Sequence, residues 1–417
     1  MNKKLIFFSL IIFITIFFSV LSFEPAEVVI IGPSFHEQEY FIEELDLIAD
    51  ELGIKIKYND VSDPETYIIN NPDSSSSIAI IPNPKGVVNL AERKLIHNLD
   101  EINVDENSIS DLYSNHLTSI VSHEGQIFAG WTRLFPNSLI WYDISKSEKH
   151  NITFDNFNNL IQQTKQIADS GTSPWCANSE SAYSTGWIQT NWLEDVLLTK
   201  YGPTVYDDWS ELKINASNIK IYLSIKEIEE FIFYENHINY GYVSIIGKEF
   251  RNLPKVLLDN STECFLSWSG HYFRYYIPDN YVYLEDYAVS SLPQINFENS
   301  VVGIGDSIVL INNNDLSKEV ISKILSKNFG KKWSSYQDSH YISANKNFDK
   351  NNIANELTLY EYSIVHDSLD KDLFRFDASE IMDRTIGSDK LWTFFKEYIS
   401  NGPENLVNLL NNLDKEI

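Results

Sequence analysis

Strand-forming and helix-forming segments alternate at the start of the chain, and this alternation is the feature that most restricts its fold. A β-branched run over residues 27–31 ends at Gly32-Pro33 and is followed by an acidic amphipathic helix over residues 37–52. Strands over residues 54–58 and 77–81 continue the pattern. Strand–helix–strand units build a parallel sheet covered by helices. The predicted fold class is therefore α/β.

Ligands in such sheets bind beyond the carboxyl ends of the strands. The first and third predicted strands end in Gly32-Pro33-Ser34-Phe35 and Pro82-Asn83-Pro84-Lys85. Phe35 and Asn83 are therefore candidate ligand contacts, and Glu263 is a further candidate of the same kind.

Later segments also predict strands and capped helices. These are a strand over residues 138–142, a strand over 301–311, a helix over 316–328 capped by Asp315, and tail helices over 389–399 and 403–413. The segment after the strand at 138–142 is helical, aromatic and rich in Asn, which predicts a lobe boundary near Asp143.

The first residues predict export. Two lysines precede an apolar run over residues 5–21, as in a secretory signal peptide. Val20 and Ser22 are small residues at the spacing that a signal peptidase reads before Phe23. An uncleaved anchor is the alternative. We predict removal of residues 1–22 and, since no Cys near the junction offers a site for a lipid, a free periplasmic protein.

Length and charge narrow the function further. Of 417 residues, 395 remain after removal of the signal, and two lobes are expected because single cores stop growing near roughly 250–300 residues. No further apolar stretch reaches the roughly 20 residues that span a bilayer. Loss of the two signal lysines takes the net charge from -27 to -29, which makes nucleic-acid binding improbable.

Cys176 and Cys264 are the two cysteines of the sequence, and an exported chain with two thiols is usually oxidised. One disulfide is therefore predicted. The alternatives are two buried free thiols or a metal site, which two thiols without a nearby His cluster hardly support. We expect no metal and no cofactor.

A series of aromatic and acidic motifs carries a family resemblance. The motifs are Pro174-Trp175-Cys176, Gly186-Trp187, Asn191-Trp192-Leu193-Glu194-Asp195, Gly202 and Tyr206-Asp207-Asp208-Trp209, with Phe376-Asp377-Ala378-Ser379-Glu380-Ile381-Met382 and residues 387–392 in the tail. In these motifs the chain resembles the extracellular solute-binding proteins of carbohydrate ABC importers, in their α-glucoside, maltose-binding-protein-like branch. The similarity covers nearly all of the mature chain.

The resemblance implies a type II periplasmic-binding-protein fold, in which two α/β lobes joined by crossing strands close on a ligand in the cleft. It divides the chain into lobe 1, residues 23–141 and 302–345, and lobe 2, residues 142–301 and 346–417. It also places the crossings at residues 138–143, 301–304 and 344–348.

The sequence departs from the family pattern in three places. Cys264-Phe265-Leu266-Ser267-Trp268-Ser269 stands where the family has Cys-Tyr-Met-His-Arg-Gln, so the Cys is kept and the His-Arg pair is lost. Phe135 replaces an acidic residue, and Asn191 replaces an Asp. The preferred ligand is therefore expected to differ from maltose.

A sugar needs aromatic rings for its C–H faces and paired donors and acceptors for its hydroxyls. The residues predicted to bind it are Trp268, Trp392, Trp187, Arg133, Trp131, Asn83, Phe35, Ser267 and Arg274. His271 and Arg274 either replace the lost pair or lie on a solvated face. Arg133 either faces the cleft or pairs with a surface acid, and Asp377 either binds or caps a turn. Trp175, Trp192 and Trp209 are expected to be core.

The predicted function is to bind a carbohydrate in the periplasm and deliver it, as a monomer, to the membrane permease of an ABC importer. The alternatives are a secreted glycoside hydrolase, a binder of another polar solute, or a surface adhesin. A hydrolase needs two carboxylates about 5–10 Å apart. No such pair stands out in the sequence, and no Gly-x-Ser-x-Gly or His-Glu-x-x-His motif is present, so no catalysis is expected.

Overall fold

The computed structural model describes residues 25–416, and the predicted signal peptide and its cleavage junction lie outside that range. The described strands are β1 Glu27–Gly32, β2 Lys55–Asp60, β3 Ile78–Ile81, β4 Asn103–Val104, β5 Asn107–Ser108, β6 Ser122–His123, β7 Gln126–Ile127, β8 Ala129–Pro136, β9 Leu139–Asp143, β10 Leu266–Trp268, β11 Tyr287–Ser291, β12 Val301–Leu310 and β13 Phe374–Phe376.

The described α-helices connect and cover these strands. They are α1 Gln38–Leu52, α2 Pro64–Asn70, α3 Pro84–Glu92, α4 Asn115–Ser119, α5 Ile144–Lys149, α6 Phe157–Asp169, α7 Trp187–Tyr201, α8 Pro203–Ser210, α9 Ile219–Ile232, α10 Ser244–Gly247, α11 Leu253–Leu258, α12 Asp315–Leu325, α13 Lys331–Ser334, α14 Glu356–Asp370, α15 Ala378–Ile381, α16 Leu391–Asn401 and α17 Leu406–Glu416. Within residues 25–416 no helix is long and apolar enough to cross a membrane.

The first lobe is built on a six-stranded sheet in the order β13-β12-β3-β1-β2, with β8 also paired to β12. β1 is parallel to both β2 and β3, as the strand–helix–strand pattern predicts. β12 comes from much later in the chain and runs antiparallel to β3 and β8. All four residues of β3 are buried, because the strand lies in the middle of the sheet.

The second lobe has a smaller sheet and more helix. Its three strands are antiparallel in the order β10-β9-β11. A separate hydrophobic cluster from helices α6 to α9, α16 and α17 packs around it. Almost every residue of α7 is buried, so this helix is the central support of the lobe.

The chain passes between the lobes at places that the strand pairing defines. β8 ends at Pro136 in the first sheet, and β9 begins at Leu139 in the second. The main-chain N–H of Asn137, between them, donates to the carbonyl of Val302 at the start of β12 (2.8 Å). The first and second crossings therefore lie side by side.

The predicted lobe boundaries stay predictions, and the hydrophobic clusters give their own division. The clusters change near residues 136–140 and 292–301, close to the predicted crossings. They change a third time between Phe376, in the first cluster, and Ala378, in the second. Packing therefore keeps most of residues 346–376, including Phe348, with the first lobe.

Several predicted helix bounds shift in the structure. Asn314, not Asp315, caps α12 by accepting from the main chain of Ser317 (2.8 Å), and the helix ends at Leu325. A π-helical turn, Thr385–Lys390, precedes α16, so that helix begins two residues later than predicted. A short 3-10 turn, Pro403–Asn405, delays the start of α17 in the same way.

The predicted disulfide between Cys176 and Cys264 is confirmed, with 5.3 Å between the two Cα atoms. It joins the segment before α7 to the start of β10, 88 residues later. Trp175, Trp192 and Trp209 are buried in the same lobe, which confirms that they are core.

Candidate functional site

Three polar side chains meet where the crossing segments converge. With its amide oriented to satisfy its neighbours, Asn191 on α7 accepts from Asn137 Nδ2 (3.1 Å) and donates to Asp377 Oδ2 (3.1 Å). Asn137 lies on the first crossing and Asp377 on the third. The Oδ1 of Asn137 is buried and has no hydrogen-bond partner within residues 25–416. This group, here called the floor, lies where the two lobes join.

Two acidic residues, Asp377 of the floor and the neighbouring Glu194, already accept hydrogen bonds from the protein. Asp377 caps α15 by accepting from the main chain of Ser379 (2.9 Å), so the turn-capping alternative is confirmed. Glu194 accepts from the hydroxyl of Tyr206 (2.7 Å) and from the main chain of Ala378 (3.0 Å). Burial raises the pKa of Glu194 well above its ordinary value, and the nearby charge of Asp377 adds to the shift.

The second lobe presents half-buried rings beside the floor. Trp187 begins α7, and its ring lies 4.7 Å from that of Tyr272. Gly186 has a φ of 114° and lies against the main chain of Trp392, where a Cβ would come 2.2 Å from the Trp392 carbonyl oxygen. Only glycine fits there, so the start of α7 lies directly against the main chain of Trp392.

Two polar atoms on this wall are buried without a partner among the described residues: Trp392 Nε1 and Tyr272 Oη. A buried donor or hydroxyl left unpaired is costly, and a ligand hydroxyl can pair with it. Trp187 and Trp392 were both predicted to contact ligand, and the structure brings them together. That contact stays a prediction.

The first lobe contributes Arg133 and Phe35. The guanidinium of Arg133, on β8, lies 4.2 Å above the ring of Phe35 and 5.4 Å from the ring of Trp333. Its Nε donates to Asp306 Oδ2. Both partners are largely buried, so the acid that pairs with Arg133 is not a freely exposed one. A guanidinium held in this way keeps further donors for a ligand.

Asn83 stands at the end of β3, as predicted, and is half-buried. Its Oδ1 caps α3 by accepting from the main chain of Gly86 (2.5 Å). Helix α15 of the second lobe contacts α3. Glu380 lies on α15, and burial raises its pKa to about 7. Glu263, by contrast, is exposed beside the disulfide.

The lobes also touch directly through rings. Phe135, which replaces the family's acidic residue, stacks on His271 with 4.4 Å between ring centres. His271 Nδ1 lies 2.8 Å from Glu361 Oε2, and Arg274 Nη1 donates to the same oxygen (2.7 Å). The solvated-face alternative for His271 and Arg274 is therefore wrong, because both are buried on one carboxylate. Burial alone raises the pKa of Glu361, but these two neighbours outweigh it and lower the pKa.

Three other predicted contacts are in the interior. Trp268 is 2% exposed, and its Nε1 donates to Asp195 Oδ2 (2.7 Å). Ser267 is fully buried. Trp131 is 1% exposed and donates to the carbonyl of Leu117 (2.9 Å). These placements favour packing roles, and a sugar contact by Trp268, Ser267 or Trp131 has no structural support.

The site residues predicted from the sequence do not include Asn137, Tyr272 or the His36–His340–Tyr275 ring cluster. Tyr272 follows the second Cys by eight residues and was hidden among many aromatics. The stack of His36 on His340 (5.3 Å) joins residues more than 300 positions apart, which no local pattern reports.

Comparison with known proteins agrees with this fold. No model of a known protein family matches the chain. The chain is 24% identical over 395 residues to the osmoprotective compounds-binding protein GgtB of Synechocystis sp., covering 93% of this chain and 92% of that protein. It is 22% identical over 365 residues to the alpha-glucosides-binding periplasmic protein AglE of Rhizobium meliloti, covering 84% and 78%.

Solved structures match over almost the same length. The bacterial solute receptor AcbH, described as preferring b-D-galactopyranose, superposes with a TM-score of 0.77 at 11% identity, covering 94% of this chain and 98% of that one. The apo form of RafE from Streptococcus pneumoniae superposes with a TM-score of 0.75 at 12% identity, covering 94% and 98%. The chain thus has the type II fold of periplasmic solute-binding proteins, and the predicted resemblance to sugar-binding members is confirmed.

Proposed function

We propose that this chain is the extracytoplasmic receptor of an ABC importer and that it binds a carbohydrate, an α-glucoside or a related glycoside, between its lobes. Similarity over most of the chain to two proteins named for binding osmoprotective compounds and alpha-glucosides carries the proposal. The cleft supplies the required chemistry, with rings for C–H faces and partnerless polar atoms for hydroxyls.

The ligand contacts we propose divide between the lobes. Trp187, Tyr272 and Trp392 offer ring faces and two unpaired polar atoms from the second lobe. Arg133 and Phe35 face them from the first, and Asn137 supplies an acceptor on the floor. Because both lobes contribute, ligand binding should favour the closed arrangement and present one shape to a permease.

Binding without turnover is part of the proposal. A glycosidase needs two carboxyl groups roughly 5–10 Å apart with a sugar between them. Glu194 and Asp377 at the floor are in contact with each other and hold the fold together, which leaves no room for a scissile bond between them.

Calorimetry and Trp fluorescence with maltose, sucrose and small glycosidic compatible solutes test this function. We expect one of the latter two classes to bind with a one-to-one stoichiometry and to be recovered intact. Submicromolar maltose binding would contradict the expected preference. Recovery of cleaved sugar would instead favour the hydrolase, and binding of none of these sugars would favour another polar solute.

A further inference from the structure

Two histidines and a glutamate gather at the mouth of the cleft, on the first lobe. His36 and Glu37 follow β1, and His340 lies in the segment between α13 and α14. One ligand atom from each residue lies within 4.8 Å of the other two. None of the three belongs to the sugar contacts proposed above.

Glu37 and His340 bring a carboxylate oxygen and a ring nitrogen close together without a hydrogen bond between them. Nδ1 of His340 lies 3.1 Å from Oε1 of Glu37, yet it makes no hydrogen bond in the described part of the chain. Ligand atoms about 2.0–2.1 Å from one tetrahedral zinc ion are roughly 3.3 Å apart. The observed separation is therefore close to that of two atoms sharing a cation.

The carboxylate is held in this position by its other contacts. Trp333 Nε1 donates to Oε2 of Glu37 (2.7 Å), and the main-chain N–H of His340 donates to Oε1 (2.9 Å). Outer contacts of this kind orient metal ligands and raise the affinity of a site. Glu37 itself has a φ of 65°, in the left-handed region, which the β1–α1 junction must enforce.

Two guanidiniums lie near the three residues, and each is paired with a carboxylate. Arg133 is paired with Asp306, and Arg274 is paired with Glu361, so each positive charge is matched. Glu37 has no Lys or Arg partner within 4.0 Å among residues 25–416. The carboxyl of Glu37 is therefore not already bound by a basic Lys or Arg side chain in that range.

His36 completes the set and leaves a position open. Its ring is exposed and stacks almost parallel on His340, so it must rotate out of this stack to bring a nitrogen to the shared point. Two imidazoles and one carboxylate are ligands that zinc prefers, and three protein ligands leave the fourth position for water. Tyr275 of the second lobe packs on both imidazole rings, with centres 4.8 Å and 5.1 Å away.

We propose that His36, Glu37 and His340 bind one divalent transition-metal cation of the zinc class at the mouth of the cleft. The ligands all belong to the first lobe, but the Tyr275 contact places the ion at the junction that lobe opening must break. The ion would therefore favour the closed arrangement.

Zinc titration of the exported protein, prepared without a His tag and followed by calorimetry, tests the site. We expect one ion per chain, with affinity at least tenfold weaker in His36→Ala and in His340→Ala. Loss of even an outer contact costs about 10- to 100-fold at such sites, so loss of a ligand should cost no less. Cobalt(II) added in place of zinc should give the absorption of a four-coordinate site in the parent and lose it in both variants.

His97→Ala is the matched control, because His97 is an exposed histidine outside the cluster. It should bind zinc like the parent. Absence of binding at millimolar zinc, or binding unchanged in His36→Ala, overturns the site. An equal loss in His97→Ala also overturns it, since binding would then be spread over surface histidines. Because His36 is exposed, the His36→Ala variant should fold, and it tests the metal site even if His340→Ala fails to fold. The test uses no sugar, so its outcome is independent of the proposed sugar-binding function.

Discussion

Two aromatic regions of the second lobe carry the same motif signals but differ in what their side chains can reach. Around the disulfide, Trp268 and Trp192 stack with 5.6 Å between ring centres, and the indole N–H of Trp268 is occupied by Asp195. At the cleft, Trp187 and Trp392 are only half-buried, and Nε1 of Trp392 has no partner in the described residues. In the first region the rings are packed and the indole N–H of Trp268 is hydrogen-bonded. In the second region the rings are partly exposed and the indole N–H of Trp392 lacks a partner within residues 25–416.

The role of a tryptophan here depends on whether its ring faces and its indole N–H already have partners within the protein. Phe157, Trp192 and Phe231 all lie against the ring of Trp268, at centre distances of 5.4 to 5.7 Å. A sugar would have to displace these rings before it could stack. Trp392 meets no such obstacle, and its unpaired N–H would gain a hydrogen bond on binding.

The largest effect that this comparison predicts is on stability. Trp268→Ala should lower the free energy of unfolding by about 3–5 kcal/mol, because it leaves a cavity and removes a donor from the buried Asp195. Urea unfolding of the ligand-free protein measures this change. Trp268→Phe, which keeps a ring but lacks the N–H, should lose less.

A ligand-free stability close to that of the parent would contradict the core role of Trp268. Combined with weakened sugar binding, that result would restore the contact expected from the motif.

The next effect concerns pH and the same core. Burial raises the pKa of Asp195 to about 7, although hydrogen bonds from Ser138 and Trp268 lower it. The folded state then holds this proton more tightly than the unfolded state, whose Asp has a pKa near 3.9. The group's stabilising contribution is therefore full below about pH 4 and is lost as pH rises toward 7.

Asp195→Asn removes this titration while keeping an acceptor for the indole. Between pH 4 and pH 8, unfolding free energies should show the parent losing on the order of 2–4 kcal/mol relative to the variant. Parallel pH profiles for the two proteins would show that the hydrogen bonds from Ser138 and Trp268 keep Asp195 ionised.

The fold could be predicted from the sequence because its signals are local. The period of β1, α1 and β2 and the glycine and proline at their junctions indicated the parallel part of the first sheet. The family resemblance assigned residues 302–345 to the first lobe, but the place of β12 between β3 and β13 was not predicted, since pairing between residues 78–81 and 307–310 leaves no local pattern. The cap of α12 was misplaced by one residue because Asn314 and Asp315 are both good caps.

The site was harder to predict because its parts come from distant segments. Motif spacing located Trp187 and Trp392, yet it did not distinguish them from Trp268, since exposure depends on how α7, α16 and β10 pack. Asn137 had no signal beyond its place before a strand. Its role follows from three crossings that meet only in the folded chain.

The smallest effect predicted, and the one that decides where the sugar lies, is on binding alone. Trp187→Ala and Trp392→Ala should each weaken sugar binding about 10- to 100-fold, if stacking on a sugar is comparable to the roughly 1–3 kcal/mol of a stacked base. Ligand-free stability should change by no more than about 1–2 kcal/mol, because both rings are only half-buried.

Calorimetry measures the effect, with the sugar that the binding experiment under the proposed function identifies. Tyr240→Ala is the control, since Tyr240 is an aromatic of the same lobe that is 64% exposed. The control should bind sugar like the parent, because Tyr240 is not among the proposed sugar contacts. If both tryptophan variants also bind like the parent, the half-buried surface is not the sugar platform. Unpaired polar atoms would then be a poor guide to ligand contacts in this lobe. The zinc-class site on the first lobe would then be supported by the spacing and the types of its three ligands, and not by the unpaired nitrogen of His340.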